Sequence, residues 1–324
     1  MKVLVDGFIR EHPGRGVELT RGSLKALGVN VSRERVREMF RKIDPEGNEL
    51  RKRKCLRRRV YHSQGIHHVW HMDGWHKLIK YGFVVHAAID GRSRYIVFMH
   101  CSDNNESLTV LEQFRIGVEE LKIIPKAVRT DKGGENVDVW RFMLLFWGVD
   151  SNCYKAASSN LNQRVERGWR DMRNSTLQTY IDTFVLFEML GMDVDNAVHM
   201  FCLHFMFKDR INTSISSYRN AWNHHPMSSE NNRSPVNILF TENDSNGGSV
   251  YNENVVNDIV STIRGANVLD VPRVNCMPKK CPLNDDKWLL FQQTITPFTI
   301  FDDLESLWPR FLEVIRYTED LLRA

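Results

Sequence analysis

The chain has 324 residues, 42% of them hydrophobic and 26% charged, with a formal net charge of +4. That gives room for one large or two modest domains with a real core, and it excludes a chain disordered throughout. No run of about 18 or more apolar residues occurs, and Met1-Lys2-Val3-Leu4-Val5-Asp6 meets charge too early for a secretory signal, so an intracellular protein without a membrane span is expected.

The positive charge is N-terminal. Residues 1–60 carry 17 Lys or Arg against 8 Asp or Glu, whereas the remainder carries 27 against 32. Leu19 to Leu27 reads as a short helix ending at Gly28. Ser32 is an N-cap candidate for a second helix, with Val36, Met39, Phe40 and Ile43 at helical spacing, stopped by Asp44-Pro45-Glu46-Gly47. The pair is consistent with a small helix-turn-helix whose second helix turns Arg33, Arg35, Arg37 and Arg41 toward phosphates or bases, with Arg33 and Arg37 as DNA-binding candidates. A plain amphipathic helix is the competing account. Next, Arg51-Lys52-Arg53-Lys54-Cys55-Leu56-Arg57-Arg58-Arg59 packs seven cations into nine positions, the pattern of a nucleic-acid-binding or nuclear-import segment. Its competitor is a solvated linker.

From Trp70 the order is strand, strand, strand, helix, strand, helix, strand, helix. Val69 to Met72 and Phe83 to Ile89 are strand-like, and the third strand is Tyr95 to Cys101. A helix runs from about Asn105 to Leu121, Ala127 to Thr130 is a short strand, Val137 to Trp147 is a helix closed by Gly148, and Ser151 to Tyr154 is a fifth strand. Three antiparallel strands followed by helix-linked parallel ones make a mixed α/β sheet flanked by helices. The histidines His62, His67, His68 and His71 read as strand and turn residues. The six cysteines (Cys55, Cys101, Cys153, Cys202, Cys276, Cys281) lack any C-x-x-C pair and read as reduced thiols.

Three acids punctuate this region: Asp73 on the first strand, Asp131 closing the fourth, and Glu166 on the helix after the fifth. A strand, a strand end and a helix can converge. Carboxylates brought together repel unless a divalent cation lies between them, and hard Mg²⁺ or Mn²⁺ prefers such oxygen ligands. Two such ions activate an attacking oxygen and stabilise the leaving oxygen of a phosphodiester. Arg170 and Arg173 follow Glu166 at i+4 and i+7 and share its face, with Val165, Trp169 and Met172 in the adjacent apolar stripe. The bland alternative is a Glu166–Arg170 ion pair on a solvated helix.

These blocks resemble the integrase core of retroviruses, long-terminal-repeat retrotransposons and related DDE transposons, over roughly Gln64 to Leu239. The acids Asp73, Asp131 and Glu166 stand in the family's D, D, E order with the last two 35 positions apart. His71-x-Asp73-Gly74, Asp90-Gly91-Arg92-Ser93-Arg94-Tyr95, Thr130-Asp131-x-Gly133-Gly134-Glu135-Asn136, Trp222-Asn223-x-His225 and Ser234-Pro235 carry the likeness. His76-Lys77-Leu78 and Asn162-Gln163-Arg164-Val165-Glu166 look most like an animal or fungal transposon-derived branch. Gln163 stands where many relatives have Gly.

The resemblance implies an RNase H-like mixed five-stranded sheet with metal-dependent DNA strand transfer. Asp73, Asp131 and Glu166 would be catalytic and metal-binding, two Mg²⁺ or Mn²⁺ ions would be present with DNA, and Asn162, Arg170 and Arg173 would face the DNA end. DNA and further copies of the chain are the expected partners, and the nucleus the expected location. Two other readings share the site: a catalytically silent DNA-binding protein derived from such an enzyme, and a metal-dependent nuclease that cuts without joining. The expected division is a basic helical region at 1–60, a catalytic core with helical extension at 61–240, and a linker with a C-terminal tail at 241–324. Within the extension, Thr183 to Leu190 and Asp195 to about Trp222 read as helices. Phe201, Phe205, Ile211, Ile215, Tyr218 and Trp222 read there as core or subunit-contact residues rather than stacking platforms.

Overall fold

Strands need their backbone groups paired and their apolar faces covered, and the run Val84-Val85-His86-Ala87-Ala88-Ile89-Asp90 meets both needs between two neighbouring strands of a sheet. The computed structural model describes residues 2–12, 14–47, 64–131, 133–156, 163–242, 247–266 and 281–324. The basic run Arg51 to Arg59, Asn162, Cys55 and Cys276 lie outside the described residues, as do the side chains of residues 163–167.

The main sheet has five strands: β1 (Val69–Trp75), β2 (Val84–Asp90), β3 (Ile96–Ser102), β5 (Ala127–Thr130) and β6 (Tyr154–Ala156), in the order β3-β2-β1-β5-β6. The first three are antiparallel neighbours, while β1 with β5 and β5 with β6 are parallel. Every residue of β2 is buried, as expected of a strand covered on both faces. This is the RNase H-like mixed sheet anticipated from the order of elements. The short β4 (Ile123–Ile124) pairs instead with β7 (Ser249–Val250).

The β2–β3 hairpin is bracketed by Asp90. Its Oδ2 accepts from the Ser93 amide at 2.8 Å and the Ser93 hydroxyl at 2.7 Å, and its Oδ1 accepts from the His67 amide at 2.7 Å. Asp90 is therefore a turn-forming acid, distinct in role from Asp73 seventeen positions earlier.

One face of the sheet, with Trp70, Met72, Ala88, Val97 and Phe98, is covered by α4 (Ser107–Leu121), α5 (Val137–Trp147) and, later in the chain, α10 (Glu253–Gly265). The other, with Trp75, Val85, Ala87 and Ile89, packs under α6 (Gln163–Met172), α7 (Gln178–Met189) and the long α8 (Ala197–His224). Phe201, Ile211, Ile215 and Tyr218 are buried in that core and Phe205 and Trp222 lean on it, so packing accounts for this aromatic series. After α9 (Pro235–Thr241), the chain returns to both faces: Val256, Val260 and Ile263 of α10 join the first core. Phe291 of α11 (Asp285–Thr294) and Leu307, Phe311, Val314 and Ile315 of α12 (Leu304–Arg323) join the second. The described parts of 241–324 thus complete the core rather than trail from it, because their apolar faces have no other cover.

The N-terminal region holds one more helix than its sequence suggested. α1 (Lys2–Glu11), α2 (Val17–Ala26) and α3 (Arg33–Ile43) enclose Val5, Ile9, Leu24, Val36 and Phe40. Ser32 caps α3 as expected, accepting from the Arg35 amide at 3.4 Å. The unit is seated on the core: a Cβ at Gly22 would lie 2.1 Å from the Ala221 carbonyl oxygen of α8. Only glycine permits that approach. Two strand and helix limits also move. The fifth strand is Tyr154–Ala156 rather than 151–154, because Val149–Ser151 forms a 3-10 turn, and α4 starts at Ser107 rather than Asn105.

Candidate metal centre

Parallel pairing fixes which residues of β1 and β5 stand side by side. The register pairs Val69 with Ala127, Trp70 with Val128 and His71 with Arg129. Two residues further along each strand direction stand Asp73 and Asp131, the latter one position beyond β5. Because side chains alternate, both belong to the face of the sheet shared with α6 to α8, on strands about 4.8 Å apart. Both are partly exposed.

Each carboxylate is held by named donors. Asp73 Oδ1 accepts from the Gly74 amide at 3.0 Å and Oδ2 from the Trp169 indole Nε1 at 2.7 Å. Asp131 Oδ1 accepts from the Gly133 amide at 3.1 Å and from the Asn136 side-chain amide at 3.2 Å. These four donors are neutral and fix the orientation of the carboxylates. His76 stands near Asp131 and next to Gly74, where a Cβ would lie 2.9 Å from its Cε1. Burial is the largest influence on His76 and lowers its pKa, against the opposing pull of Asp131, so the ring is neutral at pH 7.

The third acid arrives on α6, which packs over β1 and β2. Gly168 permits the approach, since a Cβ there would lie 2.9 Å from Ile89 Cδ1. Glu166 is one helical turn before Trp169, the residue bonded to Asp73, so its backbone is carried on the turn adjoining that contact. Its side chain lies outside the described residues. Among the described side chains no set of three or more His, Cys, Asp or Glu converges for a metal, and the described part of the centre is the aspartate pair. All-carboxylate oxygen donors on adjacent strands suit a hard divalent cation.

A family model for the integrase core domain matches residues 60–249. The chain belongs to the integrase core family. Its members generally use divalent metals and bind DNA, and they fall in the polynucleotidyl transferase superfamily. No curated protein matches the chain. Among the described residues, no helix is long and apolar enough to cross a membrane.

The remaining site candidates are dispersed. Arg170 and Arg173 are both exposed, Arg170 within α6 and Arg173 at the start of a π-helical turn, Arg173–Leu177, that alters the angular step beyond Met172. Arg173 Nε donates to Gln178 Oε1 at 2.9 Å. Arg33 pairs with Glu18, and Arg37 with Glu34 at 3.1 Å, on a helix packed against α1 and α2. The roles of Trp169 and Asn136 are not evident in the sequence. Asn136 stands within Thr130-Asp131-x-Gly133-Gly134-Glu135-Asn136 with nothing there to assign its bond to Asp131, and Trp169 falls in an apolar stripe.

Proposed function

We propose that this protein carries out DNA strand transfer: hydrolysis at an element end frees a 3′-hydroxyl, which then attacks a phosphodiester of the target. The observation that carries this reading is the level placement of Asp73, within β1, and Asp131, one position past β5, on adjacent parallel strands, with the Glu166 helix packed over β1, in an integrase-family chain. In this reading Asp73, Asp131 and Glu166 hold two Mg²⁺ or Mn²⁺ ions, which when bound supply activation of the attacking oxygen and stabilisation of the leaving one. The Trp169 and Gly74 donors orient Asp73, and the Asn136 and Gly133 donors orient Asp131. Exposed Arg170 and Arg173 neutralise phosphates of the DNA end, Asn162 contacts that end, and Arg33, Arg37 and Arg51 to Arg59 hold flanking DNA. The basic run also directs the protein to the nucleus. Synapsis of two ends calls for a homo-oligomer.

Purified full-length protein with Mg²⁺ or Mn²⁺ and oligonucleotides of element-end sequence should yield 3′-processed and joined products. EDTA should abolish both products. Asp73→Asn, Asp131→Asn and Glu166→Gln should each lower the rate on the order of 10³-fold or more, the scale of the several kcal/mol that metal ions contribute. Cleavage without joined product would support a nuclease instead, and tight DNA binding without either product would support a silent binding protein.

A further inference from the structure

Trp169 is 7% exposed and packed in the core beneath α6 to α8. Phenylalanine or leucine would serve for packing alone, but a buried indole N–H is a donor that needs an acceptor. Its acceptor is Asp73 Oδ2, at 2.7 Å, while the Gly74 amide holds Oδ1 at 3.0 Å. A donor to Oδ1 and a donor to Oδ2 together restrict rotation of the carboxylate. A carboxylate oxygen has two lone pairs, so accepting the indole bond is compatible with binding a cation. The same bond ties α6 to β1 one turn from Glu166, where Gly168 brings the helix close to Ile89.

We infer that Trp169 is a positioning residue for the metal centre: its indole N–H sets the Asp73 carboxylate and fixes the Glu166 helix against β1, so that divalent cations are sensed at this ring. The inference rests on the reading of Asp73, Asp131 and Glu166 as metal ligands. Partners that orient a metal ligand are typically worth 10–100-fold in metal affinity. Trp169→Phe keeps an aromatic ring in the core and removes the N–H.

The test uses full-length protein labelled with 5-fluorotryptophan and observed by fluorine NMR, with Trp169→Phe assigning the Trp169 resonance among the 8 tryptophans. Titration with Mn²⁺ alone should broaden that resonance before the others, and Asp131→Asn should abolish the selective broadening. By water-proton relaxation, Trp169→Phe should bind Mn²⁺ roughly 10–100-fold more weakly while it remains folded, its melting temperature lowered by a few degrees for the smaller buried ring. Trp169→His, which returns a ring N–H, should recover part of the loss. Mn²⁺ binding that depends on Asp131 yet leaves the Trp169 resonance no broader than the others removes Asp73 from the metal site and overturns the inference with it. Undiminished affinity in Trp169→Phe, with the selective broadening present in the wild type, overturns the inference while the metal-site reading stands. Absence of any Asp131-dependent Mn²⁺ binding overturns both.

Discussion

The N-terminal helices and the ends of β1 and β5 are both rich in charge, and they handle it in opposite ways. On α2 and α3 four arginines meet carboxylates: Arg21 and Arg33 pair with Glu18, and Arg37 and Arg41 pair with Glu34. Toward the C-terminal ends of β1 and β5, Asp73 and Asp131 accept from two backbone amides, an indole and a side-chain amide. An ion pair cancels charge where it stands, whereas a neutral donor aims a carboxylate and leaves its charge in place. The first region pairs four of its arginines with glutamates; in the second, neutral donors set the orientation of two carboxylates on adjacent strands. The ion pairs on α3 are largely exposed, and exposed pairs contribute only about 0–1 kcal/mol, so these arginines can exchange carboxylate for phosphate at little cost.

Gly22 decides whether the N-terminal unit is a fixed part of the core. Gly22→Val should destabilise the protein by about 3 kcal/mol, the upper part of the usual overpacking range, because the Ala221 carbonyl oxygen occupies the space a Cβ would need. Urea unfolding followed by near-ultraviolet circular dichroism measures this. An unchanged midpoint for the main transition would mean that α1 to α3 move independently of α8.

The next effect tests the neutrality of His76, His86 and His100. Burial holds the pKa of His86 down to about 4, and it also lowers those of His76 and His100. The folded form therefore binds fewer protons than the unfolded form between about pH 6.5 and 4. The associated stability is present above the unfolded pKa and is lost as pH falls through that window. His86 alone should contribute a loss of about 2 kcal/mol between roughly pH 7 and pH 5. His86→Gln should flatten the dependence of urea midpoint on pH, and an equally steep curve in the variant would show that His86 is not held neutral.

Much of the fold was legible because local signals and burial agree. Val137 to Trp147 is a helix with both ends where expected, since Gly148, at φ +83°, stops it; the expected strand Phe83 to Ile89 is the fully buried interior strand β2, shifted by one residue. α1 was not legible, because a ten-residue helix draws its stability from packing on α2 and α3 rather than from its own pattern. Nor was the return of α10 to α12 onto both faces of the sheet, which depends on where apolar cover is missing. At the site, the blocks around Asp73, Asp131 and Glu166 identified the acids by order and spacing. Trp169 was hidden because its periodicity is that of a core residue, and only the tertiary placement of α6 reveals its bond to Asp73.

The smallest effect separates binding from folding in the basic region. Arg33→Ala with Arg37→Ala should change stability by less than about 1 kcal/mol while weakening DNA binding across sequences. The slope of log affinity against log salt should fall by roughly 0.9 for each phosphate no longer neutralised. A filter-binding series at several salt concentrations checks this, and an unchanged slope would confine these arginines to their ion pairs with Glu18 and Glu34.

Anomalous diffraction at the manganese absorption edge, from crystals grown with Mn²⁺, locates a cation held by the carboxylates of Asp73 and Asp131. The account predicts an anomalous peak between β1 and β5, about 2 Å from carboxylate oxygens of both Asp73 and Asp131, with Glu166 completing the set. A peak that binds elsewhere, or no peak at saturating Mn²⁺ in protein that still cleaves DNA, would contradict it.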